Sequence, residues 1–152
     1  MTLRIFTIGY EGATQDELVG ALQQAGVGRL IDVRAVPLSR KPGFSKNVLA
    51  AGLRAGGIDY VHLKALGTPP AGREAARKGD RAGLEASYAD QLALPEAMVQ
   101  AAQMLDLARE TPSALLCFER DPHRCHRSLL IAAVAREAEV VDLFPGATGD
   151  RT

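Results

Sequence analysis

The densest chemistry in the sequence is the run Cys117 to Arg127, C-F-E-R-D-P-H-R-C-H-R. The thiolate is the attacking form of cysteine, and helix N-termini and neighbouring imidazolium or guanidinium groups stabilise it. The run offers all of these, so Cys125 is a candidate nucleophile, His126 a candidate proton shuttle, and Arg124 or Arg127 a clamp for an anionic group. The spacing is not the C-x5-R of phosphatase loops, because the sixth residue after Cys125 is Ile131. The alternative is that Cys125 packs as a small apolar side chain under a buried helix, where free cysteine is common. Cys117 lies inside the apolar run S-A-L-L-C-F and reads as core. Zinc takes about four N or S ligands, and the candidates are the two cysteines with His62, His123 and His126. No C-x2-C or H-x3-H spacing occurs, so no metal is assigned and a zinc-site protein is the third choice.

Other candidates lie far away in the chain. In R-L-I-D-V-R, strand alternation puts Leu30, Asp32 and Arg34 on one face. Asp32 and Arg34 serve there either as catalytic carboxylate and anion-holding cation or as an intramolecular ion pair. Glu119 is a candidate general acid or base, or the carboxylate that orients a guanidinium. Tyr10, Tyr60 and Phe44 either stack on a base or sugar or pack in the core. From Arg29 to Lys46 five cations stand against one anion, and Lys64 to Gly83 adds five against two. With eighteen basic and eighteen acidic residues in all, the chain is formally neutral, yet such local excess focuses a positive field on one cleft. A small anionic ligand fits, and a solvated basic rim is the alternative. Neither G-x-G-x-x-G nor G-x4-G-K-[ST] occurs, so no cofactor is expected.

These residues need elements to position them. Leu3 to Ile8 is a short β-rich run closed by Gly9, and Thr14 with Glu17 forms a capping box ahead of Leu18, Leu22 and Ala25 at helical spacing. Strands are expected at Arg29 to Arg34, Ile58 to Leu63, Ser113 to Phe118 and Val140 to Leu143, with a short helix from Asn47 to Ala55. Lys64 to Gly83 carries two prolines, four glycines and no sustained apolar period, and reads as a long loop, a lid or disorder. Leu84, Tyr88 and Leu92 restart a helix, and Pro95 opens the next. Asp121-Pro122 is the expected start of the last helix, whose S-L-L-I-A-A-V-A implies burial nearly all round. Strands alternating with helices predict a three-layer α/β domain of about five mostly parallel strands with helices on both faces, Rossmann- or flavodoxin-like. Ligands of such sheets bind beyond the carboxyl ends of the strands, where Gly9, Tyr10, Asp32, Arg34, His62 and Glu119 fall.

At 152 residues the chain suits one domain, expected over 1–144 with a loose tail at 145–152. Apolar residues make up 47% and charged residues 24%, enough to build a core and against general disorder. The longest uncharged apolar stretch, Ser128 to Ala135, is far short of the about 20 residues of a membrane span. No signal-peptide core is seen at the start, and two cysteines are too few for a disulfide scaffold, so a cytoplasmic setting is expected.

T-I-G-Y-E-G, D-V-R-A-V-P-L-S-R-K-P-G-F, I-D-Y-V-H-L-K-A-L-G-T-P and L-L-C-F-E-R-D-P-H-R-C-H-R resemble, in order and spacing, the domain-of-unknown-function 488 family. The family's pattern falls on Gly9, Asp32, Arg34, Pro37, Ser39, Arg40, Tyr60, Leu66, Gly67, Cys117, Glu119, Cys125, His126 and Arg127. Relatives carry His-Ser where this chain has Tyr10-Glu11, which removes an imidazole from position 10. The resemblance implies a shared site and supplies no reaction. The expectation is an enzyme, a hydrolase or transferase of a small anionic, phosphorylated or nucleotide-like substrate. Cys125, His126, Glu119 and Asp32 would be catalytic, with Gly9, Tyr10, Arg34, Ser39, Arg40, Tyr60 and Arg127 binding substrate and Lys64 to Gly83 closing over the cleft. The rival is a non-catalytic module for nucleotide or single-stranded nucleic acid, with nucleic acid not favoured.

Overall fold

The computed structural model describes residues 2–146. Its chain order is β1 (Arg4–Gly9), α1 (Gln15–Gln24), β2 (Arg29–Asp32), α2 (Lys46–Ala55), β3 (Asp59–His62), α3 (Pro70–Arg77), α4 (Arg81–Leu92), α5 (Pro95–Glu110), β4 (Ser113–Cys117), α6 (His126–Val134) and β5 (Glu139–Leu143). The strands form one sheet in the order β3-β2-β4-β1-β5, and all four pairings are parallel. Of the tail expected at 145–152, residues 147–152 lie outside the described residues.

Period-two alternation sorts the strand side chains between two cores. Phe6, Ile8, Leu30, Ala114 and Leu116 pack with Leu18 and Leu22 of α1 and Leu49 and Leu53 of α2. Ile5, Ile31 and Leu115 pack on the other face with Tyr88 of α4, Met104 of α5, and Leu130 and Ile131 of α6. β4 is buried from end to end, as a central strand covered on both faces must be. This is the three-layer α/β architecture. No described helix is long and apolar enough to cross a membrane.

α1 starts on the capping box, Thr14 Oγ1 accepting from Glu17 N at 3.1 Å and Glu17 Oε1 from Thr14 N at 2.9 Å. β2 stops at Asp32, two residues before its expected end, because the Asp32 carboxylate accepts the Arg34 main-chain N–H at 3.1 Å and turns the chain locally.

Lys64 to Gly83 is not a structureless loop. It contains a 3₁₀ turn (Lys64–Leu66), all of α3 and the start of α4. Pro70 sits in the first turn of α3, and the residues α3 buries are Gly72 and Ala75, so its inward face is made of small side chains with no apolar period to read. A Cβ on Gly72 would come within 2.5 Å of Thr68 Cγ2 and 3.1 Å of Ser87 Oγ, which is how closely α3 lies against α4.

Two expectations for the last helix also change. Asp121 caps a separate 3₁₀ turn (Pro122–Arg124), and Cys125 is the N-cap of α6. α6 is exposed along Ala132 and Ala133, so it is not buried all round; alanine is small enough to face water at little cost.

Candidate functional site

β1 and β4 are neighbours, yet the chain leaving β1 builds α1 on one face while the chain leaving β4 builds α6 on the other. Their loops part above the sheet and leave a crevice at its carboxyl edge. Two clusters of polar side chains meet there.

The first grows from the end of β2. The buried Asp32 carboxylate accepts Arg34 Nε at 2.9 Å and Nη2 at 2.7 Å in a bidentate pair, and Tyr60 Oη at 2.5 Å. Arg34 Nη1 donates to Tyr10 Oη at 3.2 Å and to the Phe44 carbonyl at 2.8 Å. Four of the five N–H donors of a guanidinium are thereby spent inside the protein. Of the two alternatives for this pair, an ion pair is what the geometry forms. Burial, and then the Asp32 charge, push the Tyr60 phenol well above its ordinary range, so it remains a donor. Tyr10 stacks on Phe44 at 4.5 Å between ring centroids and meets Phe118 edge-on at 5.4 Å.

The second cluster lies between β4 and α6. Cys125 is extended, and its Sγ accepts the Arg127 main-chain N–H at 3.2 Å in the first turn of α6. A sulfur so placed sits where the backbone dipoles favour negative charge. Arg127 is wholly buried, donating through Nη1 to Cys117 Sγ at 2.9 Å and the Glu119 carbonyl at 2.7 Å, and through Nη2 to the Arg120 carbonyl at 3.2 Å. It makes no ion pair and its Nε has no hydrogen-bond partner among the described residues, an unusual state for a buried cation. Cys117 Sγ lies 3.7 Å from Glu119 Oε1. Burial, and then the bond to and charge of Cys125, push the Cys117 thiol well above its ordinary range. Burial also raises Glu119.

His126 Nε2 meets the Val33 carbonyl at 2.7 Å. A carbonyl only accepts, so Nε2 carries the proton and Nδ1 keeps the lone pair. Burial lowers this imidazole to about 4, leaving it neutral at physiological pH, and its ring packs edge-on against Tyr88. Gly9 serves the same cluster by having no side chain: a Cβ there would overlap the Glu119 carbonyl oxygen at 1.7 Å and Arg127 Nη1 at 2.8 Å.

The crevice holds a cavity of about 470 Å³ bordered by Tyr10, Arg34, Glu119, Cys125 and His126 among the sequence candidates. Asp32 and Tyr60 stand behind Arg34, and Arg127 and Gly9 stand behind Cys125 and Glu119. Ser39 and Arg40 do not border it. Ser39 Oγ accepts the Lys41 N–H at 3.0 Å within its own loop, and Arg40 is exposed to solvent. The cavity's other cations are Arg73 and Arg77 of α3 and Arg124, so four arginines border it with the carboxylates Glu11 and Glu119; of these, Arg34 is spent on Asp32 and Arg77 also pairs with Glu74. Arg73 and Arg77 entered the sequence reading only within the cation count of Lys64 to Gly83 and were not singled out, although their i, i+4 spacing on one helical face was the available signal. Exposed Val36, Leu38 and Phe118 add an apolar rim. A wider hollow of about 550 Å³, lined by Thr2, Leu3, Arg4 and Pro112 among others, offers neither thiol nor imidazole.

The ligand atoms of Cys117, Cys125 and His126 lie within 4.8 Å of one another, the geometry of three metal donors. Arg127 already sets a positive charge on the Cys117 sulfur, and these three donors fall one short of the about four that zinc takes, so the donor set is a poor match for a divalent cation.

Fold and site together define a three-layer α/β protein with a thiol at a helix N-terminus in a cation-lined crevice. Residues 14–134 match the family model described as domain of unknown function DUF488, and the chain belongs to that family. No curated protein and no solved structure matches it.

Proposed function

We propose that the protein is a cysteine-dependent enzyme, a hydrolase or transferase, acting on a small anionic, phosphorylated or nucleotide-like substrate. The observation that carries this reading is Cys125, an N-capping sulfur bordering a cavity with Arg73, Arg77 and Arg124. Those cations hold the anionic group, and Arg34 stiffens the wall behind Tyr10.

For a phosphoester, Cys125 Sγ attacks phosphorus as the bond to the leaving oxygen breaks, and that oxygen takes the proton that burial favours on Glu119. Water then attacks phosphorus, the S–P bond breaks with its electron pair returning to sulfur, and the proton lost by water returns to Glu119. An alcohol in place of water makes the same sequence a transfer. Arg127, through its N–H to Cys125 and its buried positive charge, balances the sulfur's negative charge. His126, neutral and pinned to Val33, holds the start of α6 in place and takes no proton near neutral pH.

Turnover of p-nitrophenyl phosphate and nucleoside phosphates tests the reading. Cys125→Ser should abolish turnover while still folding, since a hydroxyl also caps a helix. The exposed Arg77→Ala should raise KM with little change in kcat. Turnover retained in Cys125→Ser would overturn Cys125 as the nucleophile and with it the cysteine-dependent reading, and pyrophosphate binding without turnover in the native chain points to the non-catalytic module.

A further inference from the structure

The nucleophile reading leaves Cys117 unused, although its sulfur lies within 4.8 Å of the Cys125 sulfur. One arginine joins the two thiols: Arg127 donates its main-chain N–H to Cys125 and its Nη1 to Cys117. Their exposures are close, 3% and 2%, but only Cys125 borders the cavity. One sulfur is therefore open to a small reagent and the other is held in reserve behind it.

We propose that Cys117 and Cys125 form a peroxide-reactive dithiol, in which a hydroperoxide oxidises Cys125 and Cys117 closes an intramolecular disulfide. This goes beyond the enzymatic reading, because it requires only that a peroxide reach Cys125. The Cys125 thiolate attacks one oxygen of the O–O bond, sulfur is oxidised to the sulfenic acid, and the other oxygen leaves as hydroxide or alkoxide. The Cys117 sulfur then attacks the Cys125 sulfur, the S–O bond breaks, and the hydroxyl leaves as water with the Cys117 proton. Hydroperoxide is the only oxidant, and one equivalent consumes both thiols.

The surroundings favour that order. Burial first, and then the bond to and charge of reduced Cys125, keep Cys117 protonated; a neutral sulfenic acid removes the charge of Cys125 while Arg127 still donates to the Cys117 sulfur. Cys117 is the last residue of β4 and Cys125 precedes α6, with a 3₁₀ turn between them. Both sulfurs can therefore swing to bonding distance with no strand or helix interior broken. Closure also withdraws both sulfurs from Arg127 and removes Cys125 from the cavity, so the oxidised protein is switched off.

The experiment treats the whole protein with one equivalent of hydrogen peroxide, alkylates remaining thiols and digests with trypsin, which cuts between the two cysteines. A disulfide joining peptides 110–120 and 125–127, released by dithiothreitol, is the expected result. In Cys117→Ser, one equivalent should leave Cys125 as a sulfenic acid that dimedone traps, and a second equivalent should carry it to sulfinic acid; in Cys125→Ser, Cys117 should stay alkylatable. Both thiols free in the treated native chain, a persistent sulfenic or sulfinic acid at Cys125 beside free Cys117, or a disulfide between two molecules would each overturn the proposal. A disulfide without phosphoester turnover sinks the enzymatic reading alone, and turnover without a disulfide sinks this one alone.

Discussion

Asp32 carries more of the site than its distance from the cavity suggests. Its two oxygens hold the Arg34 guanidinium and main chain and the Tyr60 hydroxyl, so removing its charge strands a cation that is 6% exposed. Breaking a buried pair from one side costs about 3–5 kcal/mol, chiefly through the charge left behind. Asp32→Asn is expected to lose stability on that scale in urea unfolding, while Tyr60→Phe, which removes one hydrogen bond to a charged group, loses about 1.5–3 kcal/mol. Equal small losses in both would mean that Arg34 finds other partners. The sequence posed Asp32 and Arg34 as either catalytic or paired, and spacing alone could not decide, because both readings need the same face of the same strand. What decides is Phe44, whose carbonyl reaches Arg34 from a loop with no period to reveal its path.

At the scale of elements, the site depends on how closely the end of β1 approaches the loop after β4. Gly9→Ala forces a Cβ onto the Glu119 carbonyl, a backbone atom that no rotamer change can move aside. The variant should lose about 1–3 kcal/mol and, by displacing Glu119 and Arg127, lower kcat more than it raises KM. A variant with native stability and kinetics would show that the loop yields freely. The five strands were legible because their apolar residues alternate or run continuously, and Tyr10, Glu119 and Cys125 were placed in one crevice because each follows a strand of a parallel sheet. α3 was not legible, since its buried residues are Gly72 and Ala75, so Arg73 and Arg77 were read only as part of a cationic loop and not as a pair on one helical face. Arg40 was nominated from local charge density and from the family's pattern, neither of which says which way a loop turns.

The molecule as a whole feels the cluster through its dependence on pH. His126 is depressed to about 4 from an ordinary 6.5, so the unfolded chain binds its proton first on acidification. The stability this group contributes is fully present above about pH 6.5 and is lost as the pH falls towards 4, to a total of about 3 kcal/mol. Glu119 acts in the opposite sense: burial raises it, so its contribution is present in acid and lost as the pH rises through its folded value. Urea unfolding of native protein and His126→Gln at pH 7.5 and 4 separates the two, because Glu119 is common to both. The native chain should lose more on acidification than the variant, and equal losses would remove His126 as the cause.

Tyr10 holds Arg34, Tyr60 holds Asp32, and Tyr88 lies against His126, and these are all the tyrosines in a chain that has no tryptophan. Intrinsic ultraviolet fluorescence of the unlabelled protein therefore originates beside the crevice. Excited in the tyrosine band, where the four phenylalanines absorb little, quenching or recovery of that signal offers a built-in optical assay for ligand entry, thiol oxidation and imidazole titration.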